Sequence, residues 1–98
     1  MAQVAVYTVV DAKSADGTYE TLTNQGVVTA RTVYVSGTLT GTVKIEASPA
    51  RTGNVWTEVL SQTALGAYEL NTVCHRLRAK LTGMAAGPVT VKVACRTE

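Results

Sequence analysis

Apolar and polar residues alternate with a period of two along much of this chain. Thr42–Ser48 shows it well: Val43, Ile45 and Ala47 face one way, and Thr42, Lys44, Glu46 and Ser48 the other. That pattern predicts a half-buried strand. Val73–Thr82 alternates most clearly, with Val73, His75, Leu77, Ala79 and Leu81 on one face and Cys74, Arg76, Arg78, Lys80 and Thr82 on the other. Val89–Cys95 repeats it, with Val89, Val91, Val93 and Cys95 inward and Thr90, Lys92, Ala94 and Arg96 outward. Val55–Leu60 is a further strand, expected to carry Trp56 and Leu60 on one face and Thr57 and Val59 on the other, which makes Trp56 the largest piece of the core or its lid. In Gln3–Val10 both faces are fairly apolar (Val4, Val6 and Thr8 on one, Ala5, Tyr7 and Val9 on the other), so it is either buried on both sides or laid against a neighbouring subunit.

Turn signals separate these runs. Asp11–Gly17 ends in Asp-Gly, Asn24-Gln25-Gly26 breaks the chain, Ser36–Gly41 reverses it, and Pro49–Asn54 reads as a hairpin loop. Between them lie shorter strands at Thr18–Leu22, Val27–Arg31, Thr32–Ser36 and Tyr68–Leu70, with Ser61–Ala67 and Gly83–Pro88 as connections. Strands about ten residues apart, with no helical period, predict a sandwich or barrel.

Composition supports this. Val and Thr supply nearly a third of the 98 residues, and such β-branched side chains pack well on pleated surfaces. A chain of this length makes one domain with a thin core, which oligomerisation can extend. The net charge of +2 is unevenly spread. Residues 1–72 carry four basic and six acidic side chains, a balance of −2, whereas residues 73–98 carry Arg76, Arg78, Lys80, Lys92 and Arg96 against Glu98, a balance of +4. Such asymmetry points to a binding face. If Val73–Thr82 and Val89–Cys95 are neighbours, those five cations share one outward surface, where like charges facing one another are unfavourable unless an acidic partner offsets them. A nucleic-acid partner is disfavoured, because no aromatic residue lies within 69–98 to stack beside them. The N-terminus lacks a basic leader region and no stretch is long and apolar enough to span a bilayer, so no membrane partner is expected and synthesis is placed in the cytoplasm.

Candidate chemistry is sparse. Cys74 and His75 are adjacent and point to opposite faces of a strand, so they cannot form a dyad. His75 and Cys95 share the inward parity and make the best available catalytic pair, but no carboxylate falls beside them; a core histidine and a core cysteine are the favoured reading. One His and two separated Cys fall short of a zinc set, and Asp11, Ser14 and Asp16 lack the spacing of a calcium loop. We expect no catalytic residues, no metal and no cofactor. The two thiols, of opposite parity, are expected to stay reduced.

The run VSGTLTGTVKIEASPARTGNVWTEVL, followed by GAYELN, HRLRAKLTG and PVTVKVAC, resembles small bacteriophage virion β-sandwich proteins of the head-decoration (cement) kind over residues 33–95. The shared pattern is a strand ending in Ser-Gly, a Gly before a Thr/Val strand, a Trp with a hydrophobic pair, and an R-x-R strand ending at Thr-Gly. PARTGN stands where that pattern usually has an acidic Asp-Gly loop. Length and strand spacing predict one all-β domain over residues 1–98 with about seven or eight short strands, and 1–10 as an N-terminal arm or edge strand; the resemblance implies that these form an antiparallel β-sandwich, jelly-roll-like or immunoglobulin-like. It further implies a structural, non-enzymatic protein on the virion exterior, bound to the major capsid protein as a homo-oligomer, a trimer being favoured. The residues assigned to partner binding are Gln3, Val4, Val6, Arg76, Arg78, Lys80, Lys92 and Arg96. The alternatives are a small tail or fibre component and a carbohydrate-binding module using Trp56, Tyr34 and Tyr68.

Overall fold

The computed structural model describes residues 3–23, 28–72 and 74–97. The break expected at Asn24–Gly26 and the face assigned to Val73 lie outside the described residues. The described chain folds as β1 (Gln3–Lys13), β2 (Gly17–Thr23), β3 (Val28–Gly37), β4 (Thr42–Ser48), β5 (Thr57–Gln62), β6 (Gly66–Glu69), β7 (Arg76–Thr82) and β8 (Val89–Thr97). The two short strands expected around Arg31 are one continuous strand, β3. The Asp11–Gly17 loop shrinks to Ser14–Asp16 because β1 runs on to Lys13, with Ala12 accommodated at φ 50°.

Two four-stranded sheets result, ordered β1-β8-β3-β6 and β2-β7-β4-β5. The pairs β1·β8, β2·β7, β3·β6 and β4·β5 are all antiparallel. They are the rungs of one long hairpin with its bend between β4 and β5. Rolling that hairpin up adds β3·β8 and β4·β7 and closes the sandwich. This winding is a jelly roll; the immunoglobulin alternative, with sheets ABED and CFG, has a different order. No described helix is long and apolar enough to cross a membrane.

The core is the sum of the inward parities. Val33 and Val35 of β3, Val43, Ile45 and Ala47 of β4, Leu77, Ala79 and Leu81 of β7, and Val89, Val91, Val93 and Cys95 of β8 are all buried. Burying each such Val, Leu or Ile side chain stabilises the fold by about 1.5–3 kcal/mol before conformational entropy is subtracted. The two central pairs carry most of it, since β7 and β8 each have neighbours on both sides.

Bulges change the parity in two places that matter. In β1 the register passes from Thr8↔Lys92 to Val10↔Val91, so Val9 and Val10 are both buried while Val4 and Val6 face outward. In β5 the register passes from Leu60↔Ile45 to Glu58↔Glu46. The extra residue, Val59, separates Leu60, which faces the core, from Glu58 and Trp56, which lie on the outside. The expected shared face of Trp56 and Leu60 is therefore corrected by one bulge.

The loops are tied by specific contacts. Asp16 accepts hydrogen bonds from the amides of Met84 (2.7 Å) and Gly83 (3.1 Å), fastening the β7–β8 turn to the β1–β2 turn. Gly37 has φ +96°, and a Cβ there would sit 2.4 Å from the carbonyl oxygen of Pro88.

Candidate functional site

The roll decides where the eight predicted partner-binding residues go. β7 and β8 are not neighbours; they are the second strands of opposite sheets. Arg76, Arg78 and Lys80 therefore lie on the outer face of the β2-β7-β4-β5 sheet, and Lys92 and Arg96 on the outer face of the other. The single basic surface expected for these five is corrected: it is divided between the two sides of the sandwich. The physical reason is that both strands need a fully buried inner face, and each obtains it by packing against the other's sheet.

On the β7 face, two of the three cations are engaged by the protein itself. Arg76 is buried, at 7% exposure. Its Nε donates to the carbonyl oxygen of Ala50 (2.9 Å), and its Nη2 donates to that of Gly53 (2.8 Å) and to Ser48 Oγ (3.3 Å). The Arg78 Nε donates to Glu46 Oε1 at 2.7 Å, a half-buried ion pair. The Trp56 ring lies against both guanidinium groups, its centroid 4.5 Å from Arg76 Cζ and 4.1 Å from Arg78 Cζ, well inside cation–π range. Trp56 is thus a half-buried lid on the outside of the sheet, holding the 49–56 loop down. Lys80 stays exposed, between Thr18 and Lys44 in register.

On the β8 face, the register brings together residues far apart in the chain. Val4 lies opposite Arg96, Val6 opposite Ala94, and Thr8 opposite Lys92 on one side of β8. Ala30, Thr32 and Tyr34 lie opposite Arg96, Ala94 and Lys92 on the other. Val4, Val6 and Tyr34 are among the most exposed large apolar side chains. A shallow groove of about 320 Å³ on this face is lined by Val4, Ala30, Thr32, Tyr34, Ala94, Cys95 and Arg96. Four of the predicted residues, Val4, Val6, Lys92 and Arg96, thus share this face; Gln3 belongs to the same strand by its backbone. Tyr34 beside Lys92 is a juxtaposition that sequence reading missed, because it searched for aromatics only within the basic segment. The parity of β3 carried the signal.

His75 and Cys95 do not come together, and of the core histidine and core cysteine expected only Cys95 lies in the core. His75 precedes β7, is exposed, and donates its amide to the Ser48 carbonyl oxygen, whereas Cys95 is fully buried. The alternation that seemed to include His75 stops at Arg76, where the strand begins. Cys74 and Cys95 are free thiols. Burial pushes both pKa values up, and the Arg31 guanidinium nearby pulls the other way. Arg31, absent from the sequence candidates, is buried at the end of the inner face of β3, where it shares the parity of Val33 and Val35 and donates to the Thr72 carbonyl oxygen. It closes one end of the sandwich. Among the described residues no group of three or more His, Cys, Asp and Glu side chains is placed to hold a metal ion.

No protein-family model matches the chain, and no curated protein matches it in sequence. Among solved structures, the chain is similar to the crystal structure of the SPBc2 prophage-derived protein YomS. The TM-score is 0.73 at 15% identity, with 99% of this chain and 96% of that chain covered. At that identity the likeness establishes the fold, over essentially the full length of both chains.

Proposed function

We propose that this chain is a non-enzymatic structural protein of a bacteriophage particle, which binds the outside of the capsid shell through the major capsid protein and, as a homo-oligomer, stabilises it. One observation carries the reading: the described chain is a jelly roll that a prophage-derived protein matches over 99% of this chain and 96% of its own. The fate of the polar side chains agrees with it. Arg76, Arg78 and Glu46 are spent on holding a loop and a tryptophan in place, and Arg31 on closing the sandwich. What faces outward on the β8 side is a sheet surface with Val4, Val6 and Tyr34 set among Lys92 and Arg96. An apolar surface with cations in its midst suits a partner whose own surface is acidic, since complementary charge steers and orients docking.

The test is co-sedimentation of the purified chain with capsids that lack it, at low and high salt. Saturable binding that raises the temperature at which the shells open is the expected result. Binding that Lys92→Glu combined with Arg96→Glu weakens, and that Lys80→Glu leaves intact, would assign the β8 face. An absence of binding to shells together with binding to tails would overturn the capsid reading in favour of a tail component.

A further inference from the structure

A sandwich of two open sheets has four edge strands, here β1, β6, β2 and β5. An edge strand offers unpaired N–H and C=O groups to any other strand, and proteins ordinarily blunt such edges with brevity, charge, proline or bulges. Three of the four are blunted. β6 is four residues long and ends in Glu69. β5 has six residues, carries Glu58 and has a register shift against β4. β2 carries Glu20, where its own register with β7 shifts. β1 is protected only in its second half, where Asp11 and Lys13 stand and both of its register shifts occur. Its first half, Gln3-Val4-Ala5-Val6-Tyr7-Thr8, has no charge, proline, glycine or bulge, and keeps an unbroken register with β8 from Gln3↔Thr97 to Thr8↔Lys92.

We infer that Gln3–Thr8 pairs antiparallel with the same segment of a second copy of this chain, about a two-fold axis, joining the two β1-β8-β3-β6 sheets into one continuous sheet. The segment is suited to itself. Directly opposed residues in an antiparallel pair share a face, so a two-fold register centred on Ala5 keeps the outward residues together and sets Val4 of each copy against Val6 of the other. With exposures of 65% and 60%, these are the most exposed large apolar side chains among the described residues, and the pairing continues their column across the seam. No ionic group falls in the seam, so the like-charge conflict that a self-pairing strand otherwise meets does not arise.

Charge also selects the edge over the face. Lys92 and Arg96 stand one strand in, on β8. Edge pairing separates the two β8 strands by three strand spacings, about 14 Å, beyond the roughly 8 Å screening length of physiological salt. Stacking the two outer faces would instead press the same cations together. The edge therefore makes a dimer, whereas the trimer implied by the resemblance would need a second unguarded edge to receive β1. This inference deepens the homo-oligomer part of the proposed function and stands independently of capsid binding, which the co-sedimentation assay tests separately.

The experiment is light scattering of the purified chain from low micromolar to near-millimolar concentration, with hydrogen exchange of the β1 amides at both ends of the range. The expected mass is twice the 10.3 kDa of the chain, with the Gln3–Thr8 amides protected more strongly at high concentration. Val6→Lys and Val4→Lys, each placing a cation in the seam, are expected to halve the mass while leaving the circular dichroism unchanged. Val55→Lys, at an exposed apolar residue in the 49–56 loop, is expected to leave the dimer intact. A chain that stays monomeric throughout the range, a trimer, or β1 protection independent of concentration overturns the inference.

Discussion

Arg76 offers the sharpest test of how this sandwich is held together, because one buried cation secures a whole loop. Replacing it with Ala removes charged donors from the carbonyl oxygens of Ala50 and Gly53 and takes one cation away from the Trp56 ring. A hydrogen bond from a charged group contributes about 1.5–3 kcal/mol, and a partly desolvated cation–π contact about 0.5–2 kcal/mol. The two carbonyls belong to a largely exposed loop, so water recovers part of the loss once the side chain is gone. We therefore predict a destabilisation of about 3–4 kcal/mol for Arg76→Ala. With about 4–8 °C lost per kcal/mol in a domain of this size, the melting temperature should fall by roughly 12–30 °C. Arg76→Lys should lie between, because a single ammonium cannot span both carbonyls as the planar fork does. The assay is urea unfolding followed by circular dichroism and by the emission of Trp56, the sole tryptophan. In Arg76→Ala the native emission should shift to the red, since the ring loses the guanidinium that covers it. A loss below about 1 kcal/mol, in the range of an ordinary surface substitution, with native emission unchanged, would refute the assignment of Arg76 as the anchor of this loop.

Four further outcomes follow from the same contacts. Gly37→Ala should cost at least about 2 kcal/mol by chemical denaturation, since φ +96° strains any L-residue and the added Cβ meets the Pro88 carbonyl at 2.4 Å. Asp16→Ala should cost about 1 kcal/mol, the amides of Gly83 and Met84 losing their acceptor, and should raise proteolysis within residues 83–88. The Lys44–Glu58 pair, 3.5 Å apart and substantially exposed, should show less than about 1 kcal/mol of coupling in a double-mutant cycle. The thiols set an alkaline limb. Their folded pKa values lie above the ordinary 9.0 because of burial, so above that pH the unfolded chain releases protons that the folded chain keeps, and stability falls as pH rises. Cys95→Ala should flatten that limb even if it lowers the plateau, as followed by urea midpoints across the alkaline range.

The fold was legible wherever one rule governed a strand. In β4 and β8 the period of two alone identified the inward residues, and every inward residue named for them is buried. The rule failed where a bulge intervened: one extra residue at Val59 takes Trp56 off the face of Leu60, so that of the two roles expected for it, core or lid, it fills the second, and nothing in VWTEVL marks that insertion. Strand order was beyond local pattern. β7 and β8 are consecutive and joined by a short turn, the usual circumstances of a hairpin, yet they belong to opposite sheets. Their placement follows from long-range pairing, β7 with β2 and β4, β8 with β1 and β3, and such pairing leaves no trace in the sequence of either strand.

That one topological fact rearranges the chemistry. Five cations that look like a single basic stripe become two unrelated sets. On the β7 face, Arg76 and Arg78 donate to backbone and carboxylate oxygens that the fold itself presents, and the Trp56 ring lies against both guanidinium groups. On the β8 face, Lys92 and Arg96 have Thr8 and Val4 on one side and Tyr34 and Ala30 on the other. Charge asymmetry along the sequence pointed to a binding face, and the register sets Lys92 and Arg96 among the exposed Val4, Val6 and Tyr34 on the β8 face. The same register puts the unguarded half of β1 at the border of that face. If β1 pairs with its copy, the two β8 faces lie side by side in one sheet, so that a partner docking on one also meets the other. Binding to a capsid should then be weakened by Val6→Lys in two ways, through lost avidity and through the loss of Val6 from the docking face itself; an unchanged capsid affinity in this variant would refute both roles.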